Sequence, residues 1–388
     1  MNAVRIIAIG AVLVGSAGFY FGTKQNETVT MPSAEKVVTR APKGKIQAAI
    51  LLDVSNSMDG LIDQAKAQLW NMVSVMGRAT CEGEVPEIEI ALYEYGRSSN
   101  DKSQGYIKQL SGFTTDLDEL SKQLFTLTTE GGDEYCNTVV LTALKNLKWA
   151  STPNAYKVIF IAGNEEYNQG TDAWTAACAK AKEQGVIVNT IYCGEKQQGI
   201  REHWNLGTEC GQGSFTNIDQ DAKQIEIPTP YDNVLFSYNQ QLNNTYIGYG
   251  AMGGRVAGMQ MLDEVVVVQS KAAAAKRIAV KADKNVYKND AWDLVDAQEK
   301  NKDFYKSIPP AALPDSLKNL QPEKLRAFID AKAKERSVIQ DSIGLIAKKR
   351  IEFINNAKKD NAQTSTLESA IEKIIKEQVT RFNMKIGE

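Results

Sequence analysis

The hydrophobic pattern changes character at Ile46. From there to Leu52 every position except Gln47 is apolar, as in a strand buried on both faces. Leu61, Ile62, Ala65, Leu69, Met72, Val73 and Met76 then recur at helical spacing. Strand-length apolar runs follow at 87–95, 106–110, 156–162, 186–193 and 213–218, with helical patterns between them at 116–127, 138–147 and 172–184. The run at 87–95 alternates less cleanly and is expected nearer an edge. This alternation predicts an α/β fold: a doubly wound, mostly parallel sheet flanked by helices and joined by right-handed crossovers. The domain is expected to span residues 46–222.

Residues 223–388 read as a mostly α-helical region. An Ala- and Lys-rich stretch opens at Asp263-Glu264 and runs through Lys284. Pro309, Pro310 and Pro314 interrupt the pattern, and Pro322 marks a helix start. Leu325, Phe328, Ile329, Val338, Ile339, Ile343, Leu345, Ile346, Phe353 and Ile354 then form an apolar stripe without a strict heptad. Ser365 and Glu368 have the spacing of a capping box before a last helix. Helices this amphipathic are expected to pack within the chain.

Residues 1–22 stand apart. After Arg5 the chain is uncharged from Ile6 to Gly22, a length between a signal-peptide core and a minimal membrane span. A signal peptide or membrane anchor is expected, followed by a linker over 23–45 that carries Pro32 and Pro42. Lys24, Lys36 and Arg40 favour a cytoplasmic body by the positive-inside tendency. The short basic head before an apolar run favours export instead, and a membrane-anchored or exported (periplasmic or extracellular) protein is the expectation. Cys81, Cys136, Cys178, Cys193 and Cys210 are odd in number and carry no metal-ligand spacing; an oxidising compartment would allow two disulfides.

Composition narrows the chemistry. A net charge of −2 supplies no general attraction for nucleic acid. The single histidine, His203, argues against zinc sites and serine-histidine relays, and beside Trp204 it is expected to pack or to face solvent. Trp70, Trp149, Trp174 and Trp204 fall in or beside helical patterns and are expected in packing roles. Asn243-Asn244-Thr245 fits the glycosylation acceptor pattern, a short match that often arises by chance.

The sharpest signal is Asp53-Val54-Ser55-Asn56-Ser57, directly after the first buried strand and before a helix. In an open parallel sheet, loops at the carboxyl ends of strands near a topological switch form the ligand-binding crevice. A carboxylate and two hydroxyls spaced two residues apart can turn their oxygens toward one point, which suits Mg²⁺, or Ca²⁺ or Mn²⁺. The plainer reading is a serine-capped helix start with Asp53 bonded locally.

This strand-DxSxS-helix arrangement resembles the metal-ion-dependent adhesion site of von Willebrand factor A domains, bacterial type, over roughly residues 46–222. The resemblance implies a second-loop threonine shortly after a Gly-Gly pair. Here Gly131-Gly132 precede Asp133, Glu134 and Thr138: counted from the following helix Thr138 matches, and counted from the glycines Asp133 or Glu134 does. A third-loop aspartate is implied after Val158–Ile161, where this chain has Ala162 and Gly163, leaving Asn164 or Glu165 as substitutes. The implied metal set is Asp53, Ser55, Ser57, Asp133, Thr138 and Asn164. A cation so held would attract a carboxylate from a protein partner.

The expected function is therefore binding and not catalysis: a metal-dependent protein-binding module in adhesion or assembly, displayed at or beyond the membrane. A metal-free scaffold acting in complex assembly through its C-terminal helices is the alternative, motivated by Gly163. Metal-assisted hydrolysis is a third class, but no positioned general base is evident.

Overall fold

The computed structural model describes residues 44–59, 62–218, 227–269, 271–359 and 367–387. The expected anchor at 1–22, most of the linker, and Ser365 of the expected capping box lie outside the described residues.

The first part of the chain runs β1 Lys45–Asp53, α1 Ile62–Gly77, β2 Ala79–Cys81, β3 Glu87–Tyr95, β4 Lys108–Thr114, α2 Leu117–Phe125, α3 Cys136–Asn146 and β5 Ala155–Gly163. It continues with α4 Trp174–Gln184, β6 Ile187–Cys193, α5 Lys196–Arg201, α6 Trp204–Gly207 and β7 Phe215–Ile218. Six of these strands form one sheet in the order β4-β3-β1-β5-β6-β7. β1 pairs in parallel with both β3 and β5, β5 with β6, and β6 with β7. Only β4, at the edge, is antiparallel.

Because successive strand residues face opposite ways, β1 feeds two cores. Ile46, Ala48, Ile50 and Leu52 pack with Trp70, Leu120 and Ile278 on one face. Ala49 and Leu51 pack with Val139, Leu144 and Ala177 on the other. The doubly wound α/β expectation holds. The chain reverses its direction of travel across the sheet at β1 and β5, so the crevice beyond their carboxyl ends is the switch point.

The edge strand differs from expectation: β4 starts at Lys108 and runs to Thr114, later than the pattern suggested. Its register against β3 shifts twice, and none of its residues is buried. A bulged, half-exposed edge strand lacks the continuous apolar run by which the other strands were recognisable.

The remaining chain is mostly helical: α7 Asp232–Asn243, α8 Arg255–Gln269, α9 Lys271–Lys281, α10 Leu294–Lys300, α11 Phe304–Ser307, α12 Pro322–Lys359 and α13 Leu367–Val379, then β8 Met384–Ile386. α8 begins at Arg255, earlier than the Ala-rich stretch suggested, and its Met259 belongs to the first core. Ile278 of α9 and Ile371 and Ile375 of α13 join that same core. β8 pairs antiparallel with β2. Gln378 and Asn189 exchange amide hydrogen bonds in the interior, and Tyr156 donates its hydroxyl to Gln378 at 2.8 Å. A third cluster has Leu294, Val295, Leu313, Leu317, Leu325 and Ile329 among its members.

Buried charges tie the two parts together. Arg277 donates to Asp118 at 2.8 Å and pairs with Asp263 at 3.3 Å, and Lys281 donates to Asp263 at 2.6 Å. Asn243 donates to Asp263 and accepts from Lys281, so the nitrogen of its glycosylation pattern is buried and engaged in the folded chain. Among the described residues, no helix is long and apolar enough to cross a membrane.

Candidate metal centre

Asp53 is the last residue of β1 and has no solvent exposure. The loop that follows turns back at once. Val54 donates its N–H to Tyr95 O, and Ser55 donates its N–H to Asp53 Oδ1 at 2.8 Å. That bond fixes one carboxylate oxygen. The other, Oδ2, is buried with no hydrogen-bond partner among the described residues. Ser55 Oγ and Ser57 Oγ lie 2.8 Å apart, and Ser57 Oγ donates to Asn164 Oδ1 at 2.9 Å. Asp53, Ser55, Ser57 and Asn164 are thus brought together across the switch point between β1 and β5.

The second loop is pinned against the first. Glu130 donates its N–H to Val54 O at 2.8 Å, and its carboxylate accepts from the hydroxyls of Ser98 and Ser99. Gly132 passes so close to the loop after β3 that a methyl group there would lie 2.5 Å from Gly96 O. Only glycine permits this approach, and it delivers the next residues to the site. Glu134 is the one that turns inward, 7% exposed. Asp53 Oδ1, Ser55 Cβ and Glu134 Cγ surround Gly96, at 2.7, 3.5 and 3.1 Å from where a side chain there would begin. The Asp53 and Glu134 side chains therefore lie close together, both against Gly96.

Asp133 and Thr138 take other positions. Asp133 is exposed and accepts from the Tyr135 hydroxyl at 3.3 Å. Thr138 lies within α3, its methyl against Gly105. The two countings of the second loop left Glu134 as one choice among three, and no residue pattern separated them. In the fold Glu134 is the buried one of the three, while Asp133 is exposed.

The third loop explains its own departure. A side chain on Gly163 would begin 2.5 Å from the Tyr95 hydroxyl and 3.0 Å from Trp204, with Asp53 Oδ2 at 3.1 Å. Tyr95 donates that hydroxyl to Ala162 O at 2.9 Å. The space a third-loop aspartate would fill is occupied by a phenol.

Electrostatics express the crowding. Burial pushes the Asp53 carboxyl up to about 6, with the charge of Glu165 adding to the rise and bonds from Ser55 opposing it. Burial raises Glu134 further, to about 8, and the charges of Asp53 and Glu165 push the same way. Among the described residues, no three His, Cys, Asp or Glu side chains assemble as a ligand set. The donors are mixed instead: two carboxylates, two hydroxyls and an amide oxygen, a hard set that fits Mg²⁺, Ca²⁺ or Mn²⁺ and not a soft metal. His203 lies off this group, half exposed, with Nδ1 2.7 Å from Glu166.

A parallel sheet with this strand order, an antiparallel edge, and an Asp-Ser-Ser loop at the switch point decides the architecture. The fold is a doubly wound, mostly parallel α/β sheet with one antiparallel edge strand. No family model matches the chain, and no curated protein matches it. Solved structures with a similar fold include the VWA domain of SpRpn10, at 15% identity and TM-score 0.33, over 48% of this chain and 90% of that one. Proximal thread matrix protein 1 from the mussel byssus, with a zinc-occupied MIDAS motif, is similar at 14% identity and TM-score 0.34, over 47% of this chain and 43% of that one. An aerotolerance-related membrane protein from Bacteroides fragilis is similar at 14% identity and TM-score 0.32, over 45% and 92%.

Proposed function

We propose that the chain is a protein-binding module whose recognition surface is a divalent cation held at the switch point. The observation that carries this reading is the buried Asp53 Oδ2, which has no hydrogen-bond partner among the described residues, in a side chain gathered with the Ser55 and Ser57 hydroxyls and Asn164. An ionised oxygen in that position is costly unless it is paired or bound to a metal. Asp53, Ser55, Ser57, Glu134 and Asn164 would hold the cation, which supplies a Lewis-acidic docking point for an oxygen of the partner. Asp133 at the rim, Thr138 in α3 and Glu165 would act from outside that set. The helices from α7 onward brace the sheet and extend the contact surface.

Display at or beyond the membrane is part of the proposal. It rests on the uncharged run from Ile6 to Gly22. The Cys178–Cys210 disulfide supports an oxidising compartment, where such bonds persist. Cross-linked pull-down in Mg²⁺ and in EDTA, comparing wild type with Asp53→Ala, tests the reading. Partner capture that needs both Mg²⁺ and Asp53 supports it, and equal capture by the folded variant in EDTA refutes it.

One observation favours a second reading. The Tyr95 hydroxyl fills the place of a third-loop carboxylate, so a metal-free scaffold working through its C-terminal helices is the alternative. Calorimetric silence at millimolar Mg²⁺, Ca²⁺ and Mn²⁺ would select it.

A further inference from the structure

The second loop bears on what the partner offers to the cation. With a neutral threonine in that loop, one carboxylate would face a dication and the remaining positive charge would call for an acidic group from outside. Here Glu134 is buried beside Asp53: its Cγ and Asp53 Oδ1 both crowd Gly96, at 3.1 and 2.7 Å from where a side chain there would begin. Two ionised carboxylates balance a dication. The charge of Glu165 also acts on both of them. The Ser55 and Ser57 hydroxyls and the Asn164 amide add donors without charge.

We infer that this site neutralises its own cation through Asp53 and Glu134, so that the partner docks with a neutral oxygen, a backbone or side-chain carbonyl or a hydroxyl, and not with a carboxylate. The inference rests on the metal-site reading above and names the partner chemistry for it. A carboxylate approaching the loaded site meets no net positive charge, and Glu165 repels it. A carbonyl dipole meets no such penalty and still coordinates a hard cation. Glu134 is thereby the specificity-determining residue of the site. Threonine in its place would restore the unbalanced charge that draws acidic ligands.

The test uses the full chain and Mn²⁺, with free Mn²⁺ followed by electron paramagnetic resonance. Titrations are run alone, with millimolar acetate, and with millimolar acetamide, each corrected for acetate binding to free Mn²⁺. For wild type, acetate is expected to leave the Mn²⁺ affinity unchanged within about twofold, as charge balance requires. For Glu134→Thr, Mn²⁺ binds more weakly, and acetate tightens it by about tenfold while acetamide does not. Acetate that tightens Mn²⁺ binding to wild type overturns the inference while leaving the metal site intact. Wild type that binds no Mn²⁺ sinks the metal-site reading and the inference with it. The wild-type titrations decide the matter even if the variant fails to fold, and Glu134→Gln, with the same shape and no charge, repeats the comparison.

Discussion

Ser55 donates its backbone N–H to Asp53 Oδ1 at 2.8 Å, and Oδ2 is buried without a hydrogen-bond partner among the described residues. The loop that opens α1 thus satisfies half of a carboxylate and presents the other half to the site.

A pH dependence follows. The folded-state pKa values of Asp53 and Glu134 are raised to about 6 and about 8, mainly by burial. A carboxyl raised on folding holds its proton more tightly in the folded state than in the unfolded one. Its stabilisation is complete below the unfolded value, about 4, and is lost as pH rises through the folded value. In EDTA these two groups should therefore depress the melting temperature progressively from about pH 4 to about pH 8. Mg²⁺ should restore it at the alkaline end, where both carboxylates are ionised, and do little at the acid end. Parallel EDTA and Mg²⁺ melting curves across that range are the check.

Gly163→Asp, which writes the missing third-loop carboxylate into the chain, should fail to tighten metal binding. Its Cβ would sit 2.5 Å from the Tyr95 hydroxyl, so overpacking should cost about 1–3 kcal/mol in urea unfolding. Removing that hydroxyl in Gly163→Asp/Tyr95→Phe should recover part of the loss. Full stability of the single variant would show that the loop has room to spare.

How much of this was legible beforehand depended on burial. β1, β5 and β6 stand out because both of their faces are covered and their residues are largely apolar in succession, whereas β3, broken by Glu89 and Glu94, reads less cleanly. β4 was displaced and the β2–β8 pair went unread, since a bulged edge and three-residue strands carry too few apolar positions to make a period. At the site, Asp53, Ser55 and Ser57 were visible because one loop spaces them. Glu134 could not be separated from Asp133 and Thr138, because the loop that carries it packs against the loop after β3, a contact that the sequence does not show. The Tyr95 hydroxyl at Gly163 was equally hidden, being a contact between neighbouring regions far apart in the chain.

The charge network under the sheet should be asymmetric to mutation. Asp263→Ala leaves Arg277 and Lys281, both almost wholly buried, short of a counter-charge, and should cost about 3–5 kcal/mol. Replacing Asp263 and Lys281 together with apolar residues of similar size should cost much less. Urea midpoints for the single and double variants measure the difference, and equal losses would mean that pairing does not matter there.

Cys178 and Cys210 join α4 to the turn after α6, while Cys81, Cys136 and Cys193 are buried outside that bond. Non-reducing mass spectrometry should find this one linkage. Cys178→Ala/Cys210→Ala should lower stability by about 4 kcal/mol for a loop of 32 residues. A different pairing in the mass spectrum would contradict the arrangement.

The most direct test of the central claim is isothermal titration of the folded chain with Mg²⁺ near pH 8, for wild type and for Asp53→Asn. The account predicts saturable heat at one equivalent for wild type and its loss in Asp53→Asn, whose side chain keeps the shape but not the charge. The same Mg²⁺ heat in both proteins, or none in wild type, would contradict it.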